Sequence, residues 1–118
     1  MDQVFIEGLE AETVIGASAW ERDVRQRVRL DLEMDFDCRA PARSDALDDA
    51  LDYARVASRA TAVVEASNFE LVEALAEHLA ATLLAEFPIA RIHLRVRKPG
   101  AVGNAVAVGV VIERTATP

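Results

Sequence analysis

Residues 26–38 constrain the fold of this chain more than any other stretch. Val28, Leu30, Leu32, Met34, Phe36 and Cys38 alternate with Arg27, Arg29, Asp31, Glu33, Asp35 and Asp37. Successive side chains of a strand point to opposite faces, so this pattern predicts a long strand with one face in a core. Two later runs repeat it. Ile92, Leu94 and Val96 alternate with Arg91, His93, Arg95 and Arg97, and Val106, Val108, Val110 and Ile112 share one face. The beginning is less regular. Val4 and Ile6 alternate, Gly8 interrupts, and Thr13-Val14-Ile15 resumes out of phase, which predicts a first strand with a bulge or bend.

Helical spacing fills the gap between the second and third strands. Val56, Ala57, Ala60, Val63 and Val64 fall on one side of a helix over roughly 53–66, and Leu71, Leu75, Leu79 and Leu83 on one side of a second over roughly 70–86. Ser67-Asn68-Phe69-Glu70 has the form of a capping box for the second helix, and Pro88 after Phe87 ends it. Ala40–Asp49, with Pro41 and Ser44-Asp45, reads as a loop. The order β-β-α-α-β-β predicts an α+β domain: a four-stranded antiparallel sheet with two helices on one face. The other sheet face brings the mixed charges of strand two beside Arg91, His93, Arg95 and Arg97. Opposite charges on neighbouring strands can pair across a sheet. A solvated outer face and the lining of a polar tunnel in an oligomer both fit.

Composition narrows the function. A chain of 118 residues has core enough for one domain, 1–118. Thirteen Lys plus Arg against 20 Asp plus Glu, a net charge of −7, argue against nucleic acid and anionic membranes as partners. A small-molecule substrate or a protein partner fits better. Met1–Glu7 lacks the basic start and apolar run of a signal peptide, no apolar run spans a membrane, and Cys38 has no second cysteine to pair with. A cytoplasmic protein is expected. His78, His93 and Cys38 form no close-spaced ligand pair, and no Gly-rich phosphate loop occurs, so neither a metal nor a dissociable cofactor is expected.

Four residues carry candidate chemistry. Lys98 shares the strand-three parity of Ile92, Leu94 and Val96 and precedes Pro99-Gly100. A lysine at the end of an apolar row is either desolvated, which draws its pKa toward the range of proton transfer, or snorkels out of the core edge. Glu73 falls in the first turn of the second helix, where a carboxylate is favoured and can read the N–H edge of a flat heterocycle. It also belongs with Glu70 and Glu77 to a stripe that reads as a solvated face. Tyr53 stands at a helix start, as a hydroxyl donor, a stacking platform or a half-buried sheet-edge tyrosine. Glu21, after Trp20, reads as an exposed turn acid.

The order of these residues carries a resemblance. Ile6-Glu7-Gly8-Leu9, Ile15-Gly16, Trp20-Glu21-Arg22, Gln26-Arg27-Val28, Leu51-Asp52-Tyr53, Phe69 to Ala76, Lys98-Pro99-Gly100-Ala101-Val102, Ala107-Val108-Gly109-Val110 and Glu113-Arg114 follow one another as in the dihydroneopterin aldolase family. The chain resembles that family over about residues 4–114, departing at Gly103-Asn104, where relatives often have proline or serine. The resemblance implies the tunnelling fold, in which sheets of several subunits join into a barrel, and a homo-octamer of two four-membered rings with sites between subunits. It implies that Glu73, with the backbone of Leu71 and Val72, anchors the pterin. Lys98 would then be the principal acid/base, with Tyr53 and Glu21 in the proton relay and in substrate contact, and Ala17 and Ser18 lining the pocket. A retro-aldol cleavage needs an electron sink, and the dihydropterin imine supplies one, leaving the protein proton transfer and positioning. A dedicated epimerase on the same fold and a non-catalytic oligomeric scaffold are the rival readings.

Overall fold

Val28, Leu30, Leu32 and Met34 are fully buried in β2 (Gln26–Asp35), the residues that period-two alternation assigns to the core. The computed structural model describes residues 1–117. Its strands β1 (Gln3–Thr13), β2, β3 (Arg91–Pro99) and β4 (Ala107–Thr115) lie in that order in one antiparallel sheet. Ile92, Leu94 and Val96 of β3 are buried beside the β2 row.

The irregular first strand is one strand with a bulge. Its register against β2 shifts between Ile6 and Leu9, and Gly8 there has φ +70°, a left-handed value that favours glycine. The Gly8 N–H freed by the bulge donates to Asp31 Oδ1 at 2.8 Å, and Asp31 Oδ2 accepts from Arg97 Nη2 at 2.8 Å.

β2 stops at Asp35 rather than Cys38, because both of its partners run out there: β3 pairs as far as Met34↔Ile92 and β1 as far as Asp35↔Gln3. Beyond that, Phe36 N–H bonds the Asp2 carbonyl and Cys38 N–H the Asp2 carboxylate. The chain then turns into helix α1 (Arg39–Ser44) and a 3-10 turn, Leu47–Asp49, within the stretch expected as a loop.

The two expected helices are α2 (Tyr53–Glu65) and α3 (Val72–Glu86). Asp52 caps α2 by accepting the Arg55 N–H at 3.2 Å. The capping box expected at Ser67 does not form. Ser67 Oγ instead donates to the Val64 carbonyl at 2.6 Å, closing the end of α2, while Thr13 Oγ1 donates to the Ser67 carbonyl at 2.7 Å. Helix α3 starts later, after Leu71, with no side-chain cap. Burial holds it instead: Leu75, Leu79 and Leu83 are fully enclosed, each stabilising by roughly 1.5–3 kcal/mol.

Helix α2 packs on β1, α3 on β3 and β4, and the helices on each other, leaving one sheet face for polar residues. On that face Asp35 pairs with Arg91 at 3.0 Å and Glu10 with Arg27 at 3.1 Å, and His93 sits in register between Glu33 and Glu113. The outer strand β4 is thinly covered. Val110 and Ile112 reach the core, whereas Val106, expected on the same face, precedes the strand and is 94% exposed. Among the described residues no helix is long and apolar enough to cross a membrane.

Candidate active site

Between β1 and β2 the chain makes a 3-10 turn, Ala19–Asp23, and this turn buries an acid. The Glu21 carboxylate accepts hydrogen bonds from Gln26 Nε2 at 2.9 Å, from the Ser18 backbone N–H at 3.3 Å and from Lys98 Nζ. Gln26 also donates to the Ile15 carbonyl at 2.7 Å, so one amide holds both the carboxylate and the backbone that leads to its turn. Gly16 makes room for the carboxylate. A Cβ there would lie 2.2–2.5 Å from the three carboxyl atoms, and φ is +126°.

Lys98 arrives from the far end of β3. Parity places it after Ile92, Leu94 and Val96, and beyond the last β2–β3 pair, Arg29↔Arg97, its Nζ extends to Glu21 across 77 positions of sequence. The side chains are only 12% and 10% exposed, which removes them from the class of solvated surface pairs. The Lys98 hydrogen bond, with those of Gln26 and Ser18, outweighs burial and holds the Glu21 carboxyl down to about 2 from the ordinary 4.5. A depressed folded-state pKa adds stability above the ordinary value and loses it as pH falls toward the depressed one. Glu21→Gln is therefore expected to flatten acid unfolding between pH 4.5 and about 2, read by circular dichroism. A slope in that window equal to the parent's would show that the Glu21 bonds are not held in solution.

The end of the sheet that holds this pair also receives the start of α3. Arg22 donates from Nη1 to the Gly16 and Phe69 carbonyls at 2.9 and 3.1 Å, and from Nη2 to the Asn68 carbonyl at 2.5 Å. The loop it grips leads through Leu71, 54% exposed, and half-buried Val72 to exposed Glu73 in the first turn of α3. Glu70, Glu73 and Glu77 are all exposed, as the solvated-face reading expects, and Glu77 forms a surface ion pair with Arg114 at 2.9 Å. Ala17 and Ser18 are exposed beside the turn.

Tyr53 is placed differently. It begins α2, whose opposite end meets Thr13 through Ser67. Thirteen helical residues span about 20 Å, so the tyrosine, 63% exposed, stands about that far from the Glu21 end of the fold.

The fold thus brings Glu21 and Lys98 together, sets Leu71, Val72 and Glu73 at the same end, and leaves Tyr53 at the other. The roles of Gly16, Gln26 and Arg22 were missed by residue-by-residue reasoning, although all three fall in the stretches that carry the family resemblance. Among the described residues no three or more His, Cys, Asp or Glu converge as a metal site. Glu21 as a bonded base or relay group, Lys98 as its proton partner and Glu73 as an exposed acceptor at a helix start together suit proton transfer on a small heterocycle.

Known proteins are similar to this chain in sequence and in fold. The family model described as dihydroneopterin aldolase matches residues 4–113. The dihydroneopterin aldolase of Escherichia coli K12 is 45% identical over 114 residues, 97% of this chain and 93% of that one. The crystal structure of the E. coli enzyme in complex with neopterin superposes with a TM-score of 0.94 at 45% identity, covering 97% of this chain and 99% of that one. A Burkholderia dihydroneopterin aldolase bound to guanine gives a TM-score of 0.80 at 25% identity, covering 96% and 89%.

Proposed function

This chain belongs to the dihydroneopterin aldolase family, and we propose that its chemistry runs through the Glu21–Lys98 pair with Glu73 as the pterin anchor. Its function is dihydroneopterin aldolase activity in folate biosynthesis, a carbon–carbon lyase reaction. In it 7,8-dihydroneopterin is cleaved to 6-hydroxymethyl-7,8-dihydropterin and glycolaldehyde. The observation that carries the residue assignment is the Lys98–Glu21 contact, a sheltered acid/base pair built from two distant parts of the chain.

The reaction needs one proton removed from a side-chain hydroxyl and one delivered to carbon. As the carbon–carbon bond breaks, its electron pair moves into the ring imine and gives an enamine, while glycolaldehyde leaves. Protonation of that enamine carbon yields the hydroxymethyl product. Protons taken and returned are equal in number, so one shuttling group ends each turnover in its starting state. Lys98 Nζ is that group, and Glu21 fixes its position. Glu73 accepts the paired N–H bonds of the amino-pyrimidine edge, with the Leu71 and Val72 backbone beside it, and Ala17 and Ser18 line the pocket. The neopterin and guanine held by the two relatives both present such an edge. Returning the fragment with opposite facial selectivity would make 7,8-dihydromonapterin, an epimerase side activity.

The working protein is a homo-oligomer, an octamer of two four-membered rings, in which the 1–118 domain contributes its sheet to a barrel. Exposed Trp20 and Leu71 beside the Glu21 turn, and a Tyr53 about 20 Å from its own protomer's pair, support sites shared between neighbours. Tyr53 then serves the adjacent protomer, donating to the pterin ring. The protein acts in the cytoplasm.

Incubating the protein with 7,8-dihydroneopterin and separating the products chromatographically tests the reading. Hydroxymethyl-dihydropterin and glycolaldehyde in equal amounts are expected. Glu73→Ala is expected to raise the dissociation constant for the pterin by about 10–100-fold, the loss of a charged hydrogen-bonding partner. Epimerised substrate with no glycolaldehyde would remove the aldolase assignment, and unchanged binding by Glu73→Ala would remove the anchor.

A further inference from the structure

Arg22 follows Glu21 directly and bridges two arms of the site. One arm is the Gly16 carbonyl, in the backbone that makes room for the Glu21 carboxylate; the other is the Asn68–Phe69 segment that leads into Glu73. A guanidinium is planar, permanently charged and presents its donors in a fixed fork, so three carbonyls gripped by it keep their spacing. We propose that Arg22 is a positioning residue that sets the distance between the Glu21–Lys98 pair and the Glu73 anchor, and so brings the cleaving bond of a bound pterin to Lys98. The inference rests on the roles given above to Glu21, Lys98 and Glu73.

Arg25 supplies the comparison within the same turn region. Its Nη2 donates to the Glu12 and Glu65 carbonyls at 2.7 and 3.3 Å, fastening β1 to the end of α2 without touching either arm of the site. An arginine that merely braces the fold would behave as Arg25 does.

Steady-state kinetics and pterin binding of the parent, Arg22→Ala, Arg22→Lys and Arg25→Ala test the proposal. A parent that does not cleave 7,8-dihydroneopterin would sink the functional reading, whatever Arg22 does. With an active parent, Arg22→Ala is expected to lose about 10²-fold in kcat/KM, since small misplacement of a reacting group is that costly. KM should rise and kcat fall together, because both arms lose their spacing. The acid limb of the kcat profile should move to higher pH, as a Glu21 carboxylate no longer held against its donors regains a higher pKa. Arg22→Lys should recover part of the loss, and Arg25→Ala should keep parental kinetics. Parental kinetics in Arg22→Ala, or equal losses in Arg22→Ala and Arg25→Ala, would overturn the proposal. Where Arg22→Ala does not fold, Arg22→Lys decides alone: a raised KM with lowered kcat supports the role, and unchanged constants refute it.

Discussion

Lys98→Ala is expected to bind the pterin and fail to turn it over, with kcat lower by about 10²–10⁴-fold, the range lost when a positioned general acid or base is removed. Binding is expected to persist because the anchor, Glu73, is on α3 and owes nothing to Lys98. The same substitution takes away the largest cause of the low Glu21 pKa. The acid limb of any residual activity should therefore begin at a higher pH than in the parent. A buried carboxylate left without its cation is also costly to the fold, so thermal stability should fall at neutral pH and recover in Lys98→Ala/Glu21→Gln. Equilibrium titration with the product pterin, single-turnover kinetics and melting curves separate these effects. Parental turnover in Lys98→Ala would dismiss the lysine as proton shuttle; lost binding with parental stability would move it into the anchor.

Gly16→Ala should be nearly as damaging, although the residue bears no functional group. Its methyl would overlap the Glu21 carboxylate at 2.2–2.5 Å, and its φ of +126° is one an alanine resists. The backbone term alone is about 1–3 kcal/mol, and the overlap must be relieved by moving Glu21 away from Lys98. A fall in kcat/KM of about 10²-fold accompanies such a displacement. Gly8→Ala is the matched control. Its φ is also positive, at +70°, but nothing lies within 4 Å of the added methyl. It should lose about 1–2 kcal/mol of stability in urea unfolding and keep parental kcat/KM. If both variants keep full activity, the Glu21 position is not what catalysis depends on.

Features that follow from local geometry are written in the order of the residues. Alternation placed Val28, Leu30, Leu32 and Met34, then Ile92, Leu94 and Val96, on the buried face, because a strand turns each successive side chain over. Gly8 marked the bulge, and Leu75, Leu79 and Leu83 marked the buried side of α3, whereas Leu71, first in that row, precedes the helix and is exposed. Parity even set Lys98 at the end of an apolar row. What the sequence could not contain was anything decided by a partner. β2 ends at Asp35 because both neighbouring strands run out there, and Val106 is exposed because it falls just before β4 begins. Ser67 looked like a helix cap and became a tie between β1 and α2 once Thr13 lay beside it.

The site follows the same division. A resemblance of ordered motifs pointed to Glu21, Tyr53, Glu73 and Lys98, yet taken singly Glu21 read as an exposed turn acid. It is buried because Lys98, Gln26 and the Ser18 N–H converge on it, and because Gly16 has no side chain to block them. Local pattern records which way a side chain points. Only the tertiary fold, which closes 77 residues of chain onto one contact, decides what it meets there.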